Sequence, residues 1–296
     1  MIKIKVTEAA KVLNAQCIGS FDSDRCICGV SIDSRKVCRD NLFVPIKGMM
    51  SDGHRYVKDA VKSGAAATLW NKNEPDPPTD IPVILVDDTI KAFQDLSYFY
   101  RNKLKAKFVG ITGSNGKTST KDITASILSQ RFKTQKTMGN YNTEIGVPYT
   151  LLNLDEDCEV AVIEMGMEKA GEIDFLTHLV QPDIGIITSV GLVHIDNFPS
   201  IEEIAKEKVQ IANGIKDNGV FIYFGDDSLI RDTVNRAEIN DSIRQQTFGT
   251  KEFNTLYLKS FSEDLSGITF TVNDEGLSEL HADMLGKHQA LNSMSA

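Results

Sequence analysis

A glycine-rich turn between a strand-like run and a helix-like run constrains this chain most. It lies in residues 108–121, FVGITGSNGKTSTK, where an apolar run reaches Thr112 and the turn closes at Gly116. This order of strand, loop and helix is typical of a phosphate-binding loop. The backbone N–H groups of such a loop and the positive end of the following helix both favour an anion. The sequence therefore predicts a nucleotide-binding site.

The loop also contains the two side chains that a nucleotide requires. Lys117 can reach the β- and γ-phosphates, and the Thr118 hydroxyl can bind Mg²⁺. The pattern is GxxGKT rather than the strict GxxxxGK[ST], because Ile111 stands five positions before Gly116. The alternative is a glycine-rich turn before an ordinary helix. The residues predicted to bind the nucleotide are Gly113, Ser114, Asn115, Gly116, Lys117, Thr118 and Ser119.

Length, charge and hydrophobicity limit the class of protein. A chain of 296 residues suits two domains. Its formal net charge of -9 argues against a general nucleic-acid surface, which would need a basic face. No apolar run approaches the ~20 residues of a membrane helix, and the N-terminal residues lack a signal-peptide core. We therefore expect a cytoplasmic protein with no membrane span and no nucleic-acid partner.

The cysteines favour thiols over a metal site. There are five of them, and the spacing between Cys26 and Cys28 fits no zinc pattern. The odd number of cysteines and the expected cytoplasmic location also favour free thiols.

The pattern along the chain predicts an α/β fold in two domains, residues 1–105 and residues 106–296. In the second domain, strand-like runs at 108–112, 159–164, 183–190 and 219–224 alternate with helical stretches around 118–130, 171–180 and 200–213. Such alternation predicts a mostly parallel sheet covered by helices. Residues 255–272 return to a strand-like pattern.

Three polar residues follow strands of the predicted sheet. In open parallel sheets, ligands bind beyond the carboxyl ends of the strands, and Thr118, Glu164 and His194 would lie there. Oxygen ligands suit Mg²⁺, so Glu164 is a candidate metal ligand, and His194 is a less usual one. The alternatives are a surface glutamate at a strand end and a histidine in a loop.

A lysine falls on the apolar face of a predicted helix. At 100° per residue, Lys208 lies near the middle of an apolar stripe, and Lys206 points to the opposite side. Burial should lower the pKa of Lys208, and a neutral amine can react with CO₂ to form a carbamate that holds a metal. The alternative is a lysine whose ammonium reaches solvent at the rim. The stripe is formed by Ile201, Ile204, Ala205, Ile211 and Ala212.

Several motifs in order resemble the ATP-dependent Mur ligases of peptidoglycan synthesis. They are GSNGKTSTK, VIEMGM, TSVGLVHIDNF and IAKEKVQIANG, together with an N-terminal stretch that contains DSR, FVPIKG and DGH. The resemblance covers nearly all of the chain. It implies a small N-terminal α/β domain that binds a UDP-sugar and a central P-loop domain that binds ATP. It also implies that ATP phosphorylates an acceptor carboxylate, and that an amine then attacks the acyl phosphate to give an amide and phosphate.

The resemblance also implies roles for individual residues. Lys117 would stabilise the transferring phosphoryl group, and Thr118 and Glu164 would hold one Mg²⁺. His194 would contribute to metal binding, and a carbamylated Lys208 would support a second Mg²⁺. The acceptor would contact Asn142 and Thr143, and its uridine diphosphate end would lie near Ser34 and Arg35. Adenine would contact His288 and Asn292. These two residues lie in a motif that resembles GxHNxxN, with Gln289 in place of its first Asn.

Residues 139–152, GNYNTEIGVPYTLL, resemble the member that joins D-alanyl-D-alanine to UDP-N-acetylmuramoyl-tripeptide. A sister ligase that adds a single amino acid, and a nucleotide-binding module without catalysis, are the alternatives. Members of this family carry a C-terminal Rossmann-like domain for the amine substrate, and we expect that domain to be absent from these residues. We therefore expect a monomer that binds the UDP-sugar peptide and ATP but does not complete ligation alone.

Overall fold

The computed structural model describes residues 1–19, 22, 24–48, 51–192 and 197–296. The strands are β1 Lys3–Lys5, β2 Gln16–Ile18, β3 Cys26–Cys28, β4 Val30–Ser31, β5 Leu42–Phe43, β6 Ala67–Asn71, β7 Val83–Val86, β8 Lys107–Thr112, β9 Thr134–Lys136, β10 Val160–Glu164, β11 Ile184–Ile187, β12 Val220–Phe224, β13 Arg244–Gly249, β14 Leu256–Asp264, β15 Gly267–Val272 and β16 Leu280–Ala282. The α-helices are α1 Val6–Val12, α2 Val57–Lys62, α3 Thr89–Lys103, α4 Lys117–Leu128, α5 Gly146–Leu152, α6 Glu172–Val180, α7 Ile201–Val209, α8 Ser228–Arg236 and α9 Lys287–Ser295. Short 3-10 helices span Ser34–Lys36, Gly53–Tyr56 and Gln210–Gly214.

The chain packs as two compact units. The first unit contains Met1–Lys105 and Glu144–Cys158, and the second contains Ala106–Thr143 and Glu159–Ala296. By packing, the segment Glu144–Cys158 therefore belongs with the N-terminal residues, whereas the sequence pattern assigned it to the second domain. The functional division of the chain into two domains stays a prediction.

The inserted segment joins the first unit through α5. Apolar residues of this helix are buried on several sides, among them Val147, Leu151 and Leu152. Its last residue accepts a hydrogen bond from the backbone of Ile2, between N and O atoms 2.8 Å apart. Just beyond it, the Leu154 carbonyl accepts a hydrogen bond from the Tyr100 hydroxyl over 2.8 Å. A short helix with so little polar surface is stable only against such a partner face.

The first unit is built on a five-stranded sheet in the order β2-β7-β6-β5-β4. Only the β2–β7 pair is antiparallel, and β1 and β3 form a separate antiparallel pair. Phe43, Val57 and Trp70 belong to its buried core. Helix α3 begins at a side-chain cap, since the Asp88 carboxylate accepts hydrogen bonds from the N–H groups of Ile90 and Lys91.

The second unit is built on a nine-stranded sheet in the order β16-β15-β14-β13-β12-β11-β8-β10-β9. The pairs from β9 to β14 are parallel, and β15 and β16 add an antiparallel edge. The predicted mostly parallel sheet is confirmed. Central strand β10 is buried along its whole length, as expected for a sheet that helices cover on both faces.

The strand order places a ligand crevice at the end of β8. From β8 the chain crosses to β9 and β10 on one side, and later to β11 and β12 on the other. Ligands of open α/β sheets bind where the strand order reverses in this way, beyond the carboxyl ends of the strands. Within the described residues, no helix combines the length and the apolar character needed to cross a bilayer.

Candidate active site

The predicted phosphate loop connects β8 to α4. Gly113 has φ +154° and Gly116 has φ +84°. A Cβ atom at Gly113 would lie 2.0 Å from Oγ1 of Thr188, and a Cβ atom at Gly116 would lie 2.6 Å from Oδ1 of Asn292. Both positions therefore require glycine, through their backbone conformation and through the close approach of a neighbouring side chain.

Hydrogen bonds to the segment after β11 hold this loop in shape. The Ser114 N–H donates to the Ser189 carbonyl and the Asn115 N–H donates to the Ser189 hydroxyl, each over 2.9 Å. The Thr188 hydroxyl donates to the Asn115 carbonyl over 2.5 Å. The first turn of α4 follows directly, and helix geometry leaves the N–H groups of this turn without intrahelical partners. N–H groups in this position at the start of a helix are suited to an anion.

Lys117 lies folded over the loop. Its Nζ donates to the Gly113 carbonyl over 2.7 Å and to the Ser114 carbonyl over 3.4 Å. Burial lowers the pKa of Lys117, and the nearby Glu164 carboxylate opposes that shift. The ammonium therefore lies among loop carbonyls at the place where a phosphate chain would pass.

Glu164 is the centre of the polar cluster at the end of β10. It is only 2% exposed. Its Oε2 accepts a hydrogen bond from the Thr118 hydroxyl over 3.0 Å, and its Oε1 accepts one from Nδ2 of Asn142 over 2.8 Å. Its backbone N–H donates to the Thr137 hydroxyl over 3.0 Å. The structure thus brings together three residues that the sequence placed in two different roles, metal binding and acceptor contact.

Lys121 also belongs to this cluster, and the sequence interpretation missed it. Its Nζ lies 3.7 Å from Oε2 of Glu164, and both side chains are 3% exposed. Its position held a signal that could have identified it. Lys121 lies three residues after Thr118 on the same helix, so both side chains share one face.

Lys208 is buried, as the apolar stripe predicted. It is 2% exposed and lies in α7 with the buried Ile204 and Ala205. Burial, helped by the charge of Lys117 and opposed by Glu207, lowers the pKa of Lys208 to about 7. Among the residues that the structure describes, none accepts a hydrogen bond from its Nζ. Because the side chain is buried, the alternative of an ammonium in solvent at the rim does not hold.

Its neighbour Glu207 is a second residue that the sequence interpretation missed. Glu207 is 3% exposed, and its carboxylate accepts hydrogen bonds from the N–H groups of Gly171 and Ile173, each over 2.9 Å. These two groups lie at the N-terminus of α6, so the carboxylate caps that helix and faces its positive end. The contact fixes α7, and Lys208 with it, against α6.

Helix α9 reaches the phosphate loop from the other side. Asn292 is 8% exposed and donates from Nδ2 to Oε1 of Gln289 over 3.0 Å. Its Oδ1 is the atom that excludes a side chain at Gly116. His288 is exposed at the start of the helix. The position of Asn292 is compatible with a role beside a bound nucleotide, and the contacts of His288 and Asn292 with adenine stay predictions.

The donor atoms around the loop fit Mg²⁺. Thr118 and Glu164 offer oxygen atoms, and Mg²⁺ usually takes one or two protein oxygen ligands and completes its shell with phosphates and water. Within the described ranges, no group of three or more His, Cys, Asp and Glu side chains forms a metal site by itself. His194 lies outside the described residues. The cysteine side chains are present as thiols.

In the first unit, Ser34 and Arg35 lie in a 3-10 helix that Asp33 caps. Ser34 is buried. The guanidinium of Arg35 is 86% exposed and pairs with Asp33 over 2.8 Å, which holds the pKa of Asp33 below its usual range. Thr143 is the last residue before the chain enters the inserted segment. The structure therefore leaves Arg35 accessible to a ligand, and it confirms no substrate contact.

A cavity of about 740 Å³ lies elsewhere in the first unit, around His54. Nε2 of His54 accepts the Asn71 N–H over 3.3 Å, so Nδ1 carries the proton and donates to Asp52 over 2.7 Å. The rings of Trp70 and His54 form a T-shaped pair, with centroids 4.7 Å apart. The lining holds the cations Lys47, Arg55 and Lys58 and an equal number of carboxylates, Asp52, Glu74 and Asp76. Lys47 pairs with Glu74 over 2.5 Å. An aromatic ring and buried polar groups in one cavity suit a polar ligand that contains a heterocycle.

This fold and this phosphate loop define a class of nucleotide-dependent enzyme, and sequence comparison identifies the class. The Mur ligase middle domain profile matches residues 111–296, and the profile of the Mur ligase family catalytic domain matches residues 27–101. The chain therefore belongs to the Mur ligase family, as the motifs suggested.

Within the family, two curated relatives carry the same name. The chain is 39% identical to UDP-N-acetylmuramoyl-tripeptide–D-alanyl-D-alanine ligase of Bacillus subtilis and covers 100% of itself and 63% of that relative. The Escherichia coli ligase of the same name is 33% identical, with 100% and 64% covered. The chain thus spans less than two thirds of the length of these relatives.

Solved structures agree with the fold. A crystal structure of MurF from Acinetobacter baumannii superposes with a TM-score of 0.87 at 26% identity, and the match covers 100% of this chain and 64% of that one. MurF ligase from Thermotoga maritima in complex with ADP gives a TM-score of 0.79 at 27% identity, covering 90% and 61%.

Proposed function

We propose that this chain is part of an ATP-dependent ligase that joins D-alanyl-D-alanine to UDP-N-acetylmuramoyl-tripeptide in peptidoglycan synthesis. The enzyme would act in the cytoplasm as a monomer and would form an acyl phosphate on the acceptor. The observation that carries the proposal is the hydrogen-bonded set of Thr118, Glu164 and Asn142 beside the phosphate loop. It joins a phosphate-binding helix, a buried carboxylate and the segment that resembles the acceptor contact. The relatives named above support the choice of substrates.

The nucleotide would occupy the loop at the start of α4. The first-turn N–H groups would receive phosphate oxygens, and Lys117 would exchange its contacts with loop carbonyls for the transferring phosphoryl group. Phosphoryl transfer depends mainly on positioning and charge neutralisation, so a lysine and helix dipole at this place supply much of what the step needs. The relative from Thermotoga maritima was crystallised with ADP.

Thr118 and Glu164 would hold one Mg²⁺. When bound, the ion neutralises charge on the phosphate oxygens and orients them for transfer. Asn142 fixes one carboxylate oxygen of Glu164 and so leaves the other oxygen directed at Thr118. His194 would contribute to metal binding, and Lys208 would support a second Mg²⁺.

Lys208 would act as a carbamate. Because the pKa of Lys208 is near 7, a large fraction of its amine is neutral at physiological pH. The amine nitrogen can then form a bond to the carbon of CO₂ and release a proton, which leaves an anionic oxygen ligand on a long side chain. The carbamate would also replace the repulsion between Lys117 and Lys208 with an attraction.

Asn142 and Thr143 would contact the acceptor. Its uridine diphosphate end would lie near Ser34 and Arg35. The guanidinium of Arg35 is exposed, and the planar geometry of a guanidinium suits a phosphate. The cavity around His54, with its aromatic ring and polar lining, is compatible with binding of a nucleotide sugar by the first unit.

Calorimetry tests the proposal directly. We would titrate the 296-residue chain with UDP-N-acetylmuramoyl-tripeptide, and in parallel with the same nucleotide sugar that carries only a dipeptide. Tighter binding of the tripeptide form supports the assignment, and Mg²⁺-dependent binding of ADP in a second titration supports the loop. Binding of ADP without binding of either sugar would favour a nucleotide-binding module that does not catalyse ligation. Equal binding of both sugars would count against the tripeptide assignment, and tighter binding of the dipeptide form would favour the sister ligase.

A further inference from the structure

We propose that Lys121 is the permanent counter-charge of Glu164, a positioning residue that sets how tightly the site takes Mg²⁺. The inference rests on the proposed function in one respect, namely that Glu164 is a Mg²⁺ ligand. Nothing in the phosphate-loop pattern assigns a role to this lysine, because the pattern ends at Thr118.

The geometry places the Lys121 ammonium between two carboxylates. Its Nζ lies 3.7 Å from Oε2 of Glu164 and 3.4 Å from Oδ1 of Asp122. The lysine and Glu164 are both 3% exposed, whereas the side chain of Asp122 is 49% exposed. Nearer the surface, Asp122 forms an ion pair with Lys136 over 2.9 Å. A row of alternating charges therefore leads from the surface to the buried carboxylate, and Lys121 is its inner cation.

Lys117 is the other cation near Glu164, and it is unsuited to this role. Its Nζ donates to the carbonyls of Gly113 and Ser114, and a bound nucleotide would engage it with phosphate. Lys121 would not contact the nucleotide phosphates, since its side chain is enclosed within the protein. It can therefore accompany Glu164 whether or not the loop is occupied.

The buried pair has an energetic consequence for the metal. A buried carboxylate without a partner is strongly unfavourable, and a close ammonium offsets much of that cost. A Mg²⁺ ion that binds Oε2 must share the carboxylate with an ammonium that repels it. Lys121 thus stabilises the site without metal and weakens its affinity for metal. Removing this one charge from a buried site should tighten Mg²⁺ binding by about tenfold.

The test compares Lys121→Met with the unchanged chain, both in the presence of saturating ADP. Methionine keeps an unbranched apolar side chain and removes the charge. We would measure the unfolding temperature against MgCl₂ concentration at constant ionic strength, with an EDTA sample as the reference. We expect the variant to unfold at a lower temperature in EDTA, to recover as Mg²⁺ is added, and to recover with a midpoint about tenfold lower in Mg²⁺. Lys136→Met, at the exposed end of the same row of charges, is the matched control and should leave the midpoint unchanged.

Two results would overturn the proposal and leave Lys121 as a packing residue. One is that Lys121→Met loses the same stability with and without Mg²⁺, and the other is that its Mg²⁺ midpoint is higher than that of the unchanged chain. If Lys121→Met alone does not fold, the double variant Lys121→Met/Glu164→Gln decides, because it removes both buried charges. Recovery of folding in the double variant supports the pairing, and failure counts against it. An unchanged chain that shows no Mg²⁺-dependent stabilisation with ADP would contradict the Mg²⁺ site itself, and the proposed function with it.

Discussion

The side-chain amide of Asn142 donates to Oε1 of Glu164 over 2.8 Å, across 22 residues of sequence. Glu164 ends a central strand, whereas Asn142 lies in the loop that leads to the inserted segment at Glu144. One hydrogen bond thus connects the proposed metal ligand to the stretch that resembles the acceptor contact. The orientation of the Glu164 carboxylate therefore depends on that loop. A change in the loop should alter the orientation of the carboxylate, and a change at Glu164 should alter the loop.

Asn142→Ala should therefore weaken Mg²⁺-dependent binding of ADP by about tenfold, because a hydrogen bond to a charged group contributes about 1.5 kcal/mol or more. Calorimetry with ADP at fixed Mg²⁺ measures the effect. The control is Asn140→Ala, at an exposed position in the same loop. Equal affinities for both variants would show that Asn142 does not orient the carboxylate.

Thr118→Val removes the hydroxyl that donates to Glu164 and keeps the shape of the side chain. We expect ADP affinity to fall by about tenfold to a hundredfold when Mg²⁺ is present, and to change little in EDTA. Thr124→Val, in the same helix, is the matched control, since the buried Thr124 hydroxyl has no hydrogen-bond partner within the described part of the chain. A loss of the same size in EDTA would mean that Thr118 acts on the nucleotide and not through the metal.

Gly116→Ala should abolish measurable nucleotide binding. The new Cβ atom would meet Oδ1 of Asn292 at 2.6 Å, in addition to the strain of φ +84°. Gly171→Ala is a close control, because Gly171 precedes a helix with φ +88° and has nothing within 4 Å of a Cβ atom. The control should show only the strain cost of about 1 kcal/mol in unfolding free energy, with binding intact. Binding in Gly116→Ala/Asn292→Ala that equals binding in Asn292→Ala alone would identify the clash as the cause, and normal binding in Gly116→Ala alone would contradict it.

These sites differ in how far the sequence could define them. The alternation of strands and helices predicted the parallel sheet, because buried strands and amphipathic helices have different periods. The same argument placed Lys208 on a buried face. Periodicity reports burial and not the partner, so the contact of Lys121 with Glu164 and the contact of Glu207 with the start of α6 could not be assigned from sequence. For the same reason the sequence did not show that Glu144–Cys158 packs with the first unit.

The pH dependence of stability should reveal Lys208. The ordinary pKa of this amine is 10.5 and its pKa in the folded chain is about 7. Between these two values the unfolded chain binds more protons at this position than the folded chain does, so the contribution of Lys208 makes the unfolding free energy rise with pH from about 7 to 10.5. Below pH 7 the group imposes its full cost on the folded state.

Lys208→Met should therefore gain stability over the unchanged chain near pH 6.5 and lose that advantage toward pH 10. Urea unfolding in buffers free of CO₂ at several pH values between these limits measures the difference. The control is Lys206→Met, on the exposed face of the same helix, where no pH-dependent gain is expected. Parallel pH curves for Lys208→Met and the unchanged chain would show that the lysine is not neutral in the fold.

Glu207→Ala should lower the unfolding free energy by about 2 kcal/mol, because it leaves the N–H groups of Gly171 and Ile173 without their acceptor and removes a charge from a helix N-terminus. Glu203→Ala, on the exposed side of α7, should change stability by less than about 0.5 kcal/mol. Chemical denaturation of both variants gives the comparison. A small effect at Glu207 would mean that water replaces the carboxylate at the end of α6.

The segment Glu144–Cys158 affects the order in which the protein can be made. Its helix completes the core of a unit whose other residues end at Lys105. A ribosome that has released the first 105 residues has therefore not yet delivered the helix that covers them. The first unit should remain open, with apolar surface exposed, until residue 158 has left the exit tunnel. By then, the phosphate loop and the first strands of the second sheet have already emerged.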